Sequence, residues 1–180
     1  MGIRRVIVSN GPDGKSTVQI DGAPPRSSDL SSLPGFSPTL LWTTPGHPVV
    51  GNGAVADPTP SAVWVPSAGG THLMIVTFPP DSMMMRPEFD PMAYGAELGA
   101  ALPGLVETFE PDSPGMHTTD SVDYDVVLDG EVVLELDDGR TVALKKHDVV
   151  VQHGTRHAWR NVSDRPVTML FVLVGANRAR

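Results

Sequence analysis

The sequence predicts an all-β fold, and three observations carry that expectation. Its 18 Gly and 18 Pro make up about a fifth of the 180 residues. Such a density of turn formers suits short strands and disfavours a helical bundle. Asp-Gly pairs at Asp129-Gly130 and Asp138-Gly139 stand between β-rich runs, and both residues of such a pair tolerate the positive φ that hairpin turns need. Just after the first pair, Val132, Leu134 and Leu136 are separated by Val133 and Glu135, a period near two with one face more apolar than the other.

The bulk numbers fit a single globular domain. Hydrophobic residues are 40% of the chain and the mean hydropathy is −0.06, so a real core can be buried. The net charge of −8 argues against nucleic acid or an anionic membrane as partner. Arg4-Arg5 and Lys145-Lys146 are too short to reverse that. The absence of cysteine excludes disulfides and thiolate chemistry and is compatible with the cytosol, the compartment expected here. The N-terminus lacks the apolar run of a signal peptide, and no apolar run approaches the ~18 residues of a membrane span.

Along the chain, Arg4–Asn10 and Ser16–Gly22 read as strands around the turn-prone Gly11–Lys15. That turn superficially matches a phosphate loop. The first glycine of G-x-x-x-x-G-K-[ST] would fall at Ser9, however, and no helix signal follows Thr17. Thr39–Thr44 and Thr71–Pro80 are further strands. Pro48–Gly70 reads as a loop on the surface of the same domain, with Ala62–Val65 its one strand-like piece. One helix is expected: Asp90 caps it, Pro91 takes the first helical position, Met92–Leu102 is rich in Ala and Leu, and Pro103-Gly104 ends it. Ahead of it, Met83, Met84 and Met85 read as adaptable packing or as an apolar lid. Residues 120–175 read as successive antiparallel strands. Among them Asp148–Asn161 is a strand, a turn at Gly154 and a return strand, and Arg165–Ala176 is a buried closing strand. No G-x-S-x-G elbow or G-x-G-x-x-G fingerprint is present.

The residues able to carry chemistry are His117, Thr119, Asp123, Gln152 and His157. On a straight strand His117, Thr119 and Asp123 share a parity and point to one face. His157 can join them only through tertiary structure. Two imidazoles and a carboxylate suit Zn, Fe, Mn, Ni or Cu and leave coordination positions open, as catalysis requires. A competing face made of Tyr124, Val126 and Leu128 would instead turn Asp123 and Asp125 to solvent.

These residues resemble the two motifs of the cupin superfamily, in its small single-domain type. The first motif, His-x-His, three or four residues, Glu, six residues, Gly, reads here His117-x-Thr119, three residues, Asp123, six residues, Gly130. The second reads His147-Asp148, then Gln152-x-Gly154-x-x-His157-x-x-x-Asn161. The chain departs from the pattern at Thr119 for His, Asp123 for Glu, Gln152 for Pro and His147 for Gly. The first metal motif is thus incomplete, and Asp123 reaches one methylene less than Glu.

What the resemblance implies is a cupin (RmlC-like) jelly-roll barrel with additional N-terminal strands and one short inserted helix. It would be one domain over 1–180, with a β-rich stretch over 1–80, a helical insert over 88–104 and the motif core over 112–175. It implies a metal-dependent enzyme acting on a small organic acid or oxygenated molecule, in a lyase or decarboxylase step. His117, Asp123 and His157 would hold a divalent Fe, Zn, Mn or Ni, with Asp123 as third ligand or general base. Thr119 and Gln152 would orient substrate. An Fe(II) dioxygenase is one alternative. A metal-free binding module, isomerase or cyclase, with His and Asp as acid and base, is another and needs no cofactor. A homodimer is expected, with N-terminal strands covering the partner's sheet edge. The remaining residues have plainer expectations: His153 exposed, His47, His72 and His147 structural or on the surface, Trp42 and Trp64 in core or pocket wall, Trp159 and Asn161 in packing and a turn, and Asn177–Arg180 a frayed tail.

Overall fold

The computed structural model describes residues 2–51 and 53–179. Met1, Asn52 and Arg180, which fall in the N-terminal segment, the long loop and the tail, lie outside the described residues. The strands are β1 (Arg5–Asn10), β2 (Ser16–Gly22), β3 (Arg26–Ser27), β4 (Ser37–Thr44), β5 (Thr71–Phe78), β6 (Ser121–Asp129), β7 (Glu131–Glu135), β8 (Thr141–Lys145), β9 (Val149–His153), β10 (Ala158–Arg160) and β11 (Val167–Gly175), with α1 (Pro91–Ala101) between β5 and β6. They form a six-stranded sheet in the order β3-β4-β5-β11-β6-β9, a three-stranded sheet β10-β7-β8 and the separate hairpin β1-β2. This is the expected all-β jelly roll with one inserted helix. The β-rich first 80 residues supply β4 and β5, which are integral to the larger sheet.

The topology corrects two hairpins read from the sequence. Asp129-Gly130 does not join paired strands: β6 pairs with β9 and β11, whereas β7 pairs with β8 and β10. It is a corner where the chain changes sheets. Gly130 takes φ +84, and a Cβ there would meet Pro166 O and Val167 Cα at 3.0 Å. β9 and β10 likewise lie in different sheets although Gly154 turns between them. Asp138-Gly139 does join paired strands, β7 and β8, with φ 58 and 68. The local turn chemistry is identical at both Asp-Gly pairs, so only the alternative partners offered by distant strands distinguish hairpin from corner.

The helix forms where its caps place it. The Asp90 carboxylate accepts from the Met92 and Ala93 backbone N–H groups, satisfying donors that the first turn leaves open. Ala62–Val65 is not a strand. Trp64 is buried there, its backbone N–H donating to Pro103 O at 2.8 Å. The two-residue β3 was not expected, since a pair of residues carries no periodicity. Arg5 is buried rather than part of a basic patch: it pairs with Asp57 and donates to Leu41 O. Arg178 corrects the frayed tail, since its guanidinium binds Asp120 at 2.6 Å and donates to Thr119 O and Gly154 O. Among the described residues no helix is long and apolar enough to cross a membrane.

Candidate active site

Between the sheets lies a cavity of about 480 Å3. The inward face of β6 carries Ser121, Asp123, Asp125 and Val127, all buried, while Tyr124 is 46% exposed. The competing apolar face therefore faces out, and both aspartates face the interior. Cross-strand pairing then sets their neighbours: Asp123 lies opposite Leu173 on β11 and Gln152 on β9, and Asp125 opposite Phe171 and Val150.

The two site histidines meet by backbone pairing. His117 N–H donates to His157 O at 2.9 Å, and His157 N–H donates to His117 O at 3.0 Å. Residues that exchange both bonds present their side chains on the same side, and the ring centroids lie 4.3 Å apart. Each Nδ1 is within 3.0 Å of a carbonyl two residues earlier, Gly115 O for His117 and Thr155 O for His157. A carbonyl only accepts, so Nδ1 carries the proton in both rings and each Nε2 keeps a free lone pair. Burial lowers both imidazole pKa values. That of His117 falls to about 4, with His157 next to it as a further cause.

The carboxyls are perturbed the other way. Burial raises Asp123, against hydroxyl hydrogen bonds from Ser121 and Thr119 that lower it. Burial and then the neighbouring Asp123 push Asp125 up to about 8. Oδ1 of each aspartate is buried and has no hydrogen-bond partner. Thr119 also lines the cavity; its hydroxyl accepts from Ser121 and reaches toward Asp123 Oδ2.

His117, Thr119, Asp123 and His157 therefore all face one cavity. Gln152 does not line it: its Oε1 accepts from the Thr155 hydroxyl, and its Nε2 is buried without a partner. Among the described residues, no three His, Asp or Glu side chains stand close enough together to hold a metal ion. The expected three-ligand set of His117, Asp123 and His157 is thus brought to one cavity but not to one coordination point. The imidazole lone pairs suit a metal, the carboxylate does not close the set, and the residues present do not fit that centre.

Sequence reasoning undervalued other members of the wall. Asp125 follows Asp123 by two residues, and that shared parity was the available signal. Trp159 stacks edge-on against His157 at 5.8 Å and Phe171 at 5.7 Å. Phe109 lies 4.6 Å from the His117 ring. The ring contacts continue from Phe171 through Phe78 and Phe36 to Tyr94 on the helix. The helix thus roofs the cavity, with Tyr94, Leu98 and Leu102 on its wall. Of the three methionines, Met84 lines the cavity, Met83 packs on the core and Met85 is exposed. His153 is exposed and His72 is buried on β5. Asn161 donates to Phe78 O and Arg165 O, tying the loop after β10 to the end of β5.

Residues 105–173 match the family model of the cupin domain. A 70-residue stretch is 49% identical to the phomopsin biosynthesis cluster protein C' of Diaporthe leptostromiformis, covering 36% of this chain and 37% of that protein. A 62-residue stretch is 37% identical to the cupin-domain-containing oxidoreductase virC of Hypocrea virens, covering 33% and 32%. A cupin 2 conserved barrel domain protein from Salinispora arenicola superposes with a TM-score of 0.39 at 14% identity, over 78% of this chain and 76% of that one. The matched stretches span only 25–37% of the length of the first curated relatives.

Proposed function

The chain carries a cupin domain, and from that premise we propose that it is a cupin-type enzyme that moves protons on an oxygenated small molecule, in a lyase, isomerase or cyclase step. One observation carries the reading: two imidazole Nε2 lone pairs and two unpartnered carboxyl oxygens belong to residues that line the same cavity. Burial lowers both imidazoles and raises both carboxyls, and environments that shift basic and acidic groups in opposite directions are what acid–base chemistry uses. His157 Nε2 takes the proton, and the Thr155 carbonyl holds its Nδ1–H and stabilises the imidazolium. Asp125 keeps its proton at neutral pH and delivers it to the developing oxyanion. The Thr119 hydroxyl steadies Asp123. Phe109 and Trp159 flank the histidines and limit water. No step in this reading passes through a metal.

The test is deuterium uptake from D2O into a panel of ketones and enolisable aromatic compounds, read by mass spectrometry. Wild type should catalyse uptake in at least one member and retain its rate after EDTA treatment. Asp125→Asn and His157→Ala should each lose it by roughly 10²-fold or more. No uptake across the panel, or uptake abolished by EDTA and restored by Fe, Zn, Mn or Ni, sinks the proposal. A second reading, oxidoreductase chemistry, is favoured by the name of the Hypocrea virens relative. Oxygen consumption with the same panel separates it from the first.

A further inference from the structure

The same cavity carries a statement about what it admits, which rests on the reading above that it is the reaction site. Five charged side chains line it: Asp81, Glu110, Asp123, Asp125 and Arg160. Four are acids. Arg160 is already committed, with Nε on Glu135 at 2.6 Å and Nη1 on Pro114 O at 2.8 Å. Among the described residues no cation without a carboxylate partner lines the cavity. A carboxylate or phosphate entering it would lose its water and find acids in return, which is unfavourable whether or not Asp123 and Asp125 carry their protons.

The rest of the wall favours rings. Trp64, Phe36, Phe78, Tyr94, Trp159 and Phe171 line it, and several meet edge-to-face at centroid separations between 5.7 and 6.4 Å. Such edges and faces suit a planar, polarisable guest. The volume of about 480 Å3 lies inside the ~300–1,000 Å3 range of drug-sized ligand sites. His117, His157, Asp123 and Asp125 are among the polar groups on the wall, where they can accept from a hydroxyl or donate to a carbonyl.

We infer that the substrate is an uncharged, ring-bearing molecule with a hydroxyl or carbonyl head and an apolar body. Of the organic acid or oxygenated molecule expected from the sequence, this keeps the oxygenated molecule and drops the acid. Only the folded structure shows that Arg160, the cation on the wall, has its charge paired with Glu135.

Binding of two matched probes tests this without any turnover. Trp64 and Trp159 line the cavity, so quenching of intrinsic fluorescence reports occupancy. Wild type at pH 7.5 should bind 4-butylbenzyl alcohol at least about tenfold more tightly than 4-butylbenzoate, given the cost of an unpaired buried charge. Met84→Lys places a cation on a partly exposed part of the wall. It should tighten 4-butylbenzoate several-fold and leave the alcohol within about twofold. Equal or tighter binding of the benzoate by wild type overturns the inference while leaving the cavity as the reaction site. Binding of neither probe overturns both. A preference for the alcohol without deuterium uptake upholds the inference and removes only the proposed chemistry.

Discussion

Replacing Asp125 by Asn should stabilise the protein, and increasingly so as pH rises. Asp125 is 1% exposed, its Oδ1 has no partner and Asp123 lies on the same strand face. Its pKa moves from 3.8 to about 8 on folding. The sign follows from proton counting. Between these values the folded chain holds a proton that the unfolded chain has released, so raising pH favours the unfolded state. The stability tied to this proton is full below about pH 4 and is lost progressively up to about pH 8. Each unit inside that window costs ~1.4 kcal/mol, so the span from pH 4.5 to 7.5 costs up to ~4 kcal/mol. Asn copies the shape of the neutral acid and does not titrate. The variant-minus-wild-type stability should therefore grow by roughly 2–4 kcal/mol over that span, the lower figure allowing Asp123 to take up part of the titration. Urea denaturation followed by tryptophan fluorescence at pH 4.5, 5.5, 6.5 and 7.5 measures it. His117 and His157 titrate in both proteins, so their contribution largely cancels in the difference. Parallel stability profiles would refute the reasoning, because they would mean Asp125 is ionised in the folded protein.

Three further outcomes follow from local geometry. His147 is exposed and holds φ +76 where the family motif carries glycine; His147→Gly should raise stability by about 1 kcal/mol, read as a shift in the urea midpoint at unchanged slope. Gly130→Ala should cost about 2–3 kcal/mol, since the corner needs φ +84 and the new Cβ would meet the Pro166 and Val167 backbone at 3.0 Å; a neutral result would show that the corner relaxes. The Glu97 carboxylate accepts from the backbone N–H and hydroxyl groups of Ser31 and Ser32, fastening α1 to the loop beneath it. These bonds hold its pKa down at about 2, so their contribution is present above about pH 4.5 and is lost as pH falls toward 2. Glu97→Gln should speed amide exchange in 91–101 at pH 7 and leave exchange in β11 unchanged.

Much of the architecture was legible because it is written locally. Asp90 and Pro91 mark the helix start through backbone hydrogen bonding that spans only a few residues. The alternation along β6, β7 and β11 follows from the strand's two-residue period. The spacing of His117, Asp123, Gly130 and His157 carried the likeness to the cupin barrel. Nothing local separated the Asp129-Gly130 corner from the Asp138-Gly139 hairpin, because the same dipeptide serves both and strand partners far along the chain decide. Parity told us that Asp123 and Asp125 share a face with each other, but not which face is buried. That was settled by where β9 and β11 dock on β6, leaving Tyr124 outside.

The sequence by itself determined the fold class, the helix and its caps, and which side chains could do chemistry. Tertiary structure alone decided how those side chains meet. The reciprocal backbone bonds of His117 and His157 bring two distant segments together and leave both Nε2 atoms bare. Burial, which depends on the whole packed chain, makes the imidazoles weak bases and Asp125 a neutral acid. The same packing takes Gln152 off the cavity wall, places Trp159 and Phe171 on it and commits Arg160 elsewhere. Spacing along a strand fixes the relative direction of neighbouring side chains; desolvation, pKa and distance across the barrel are properties of the closed structure.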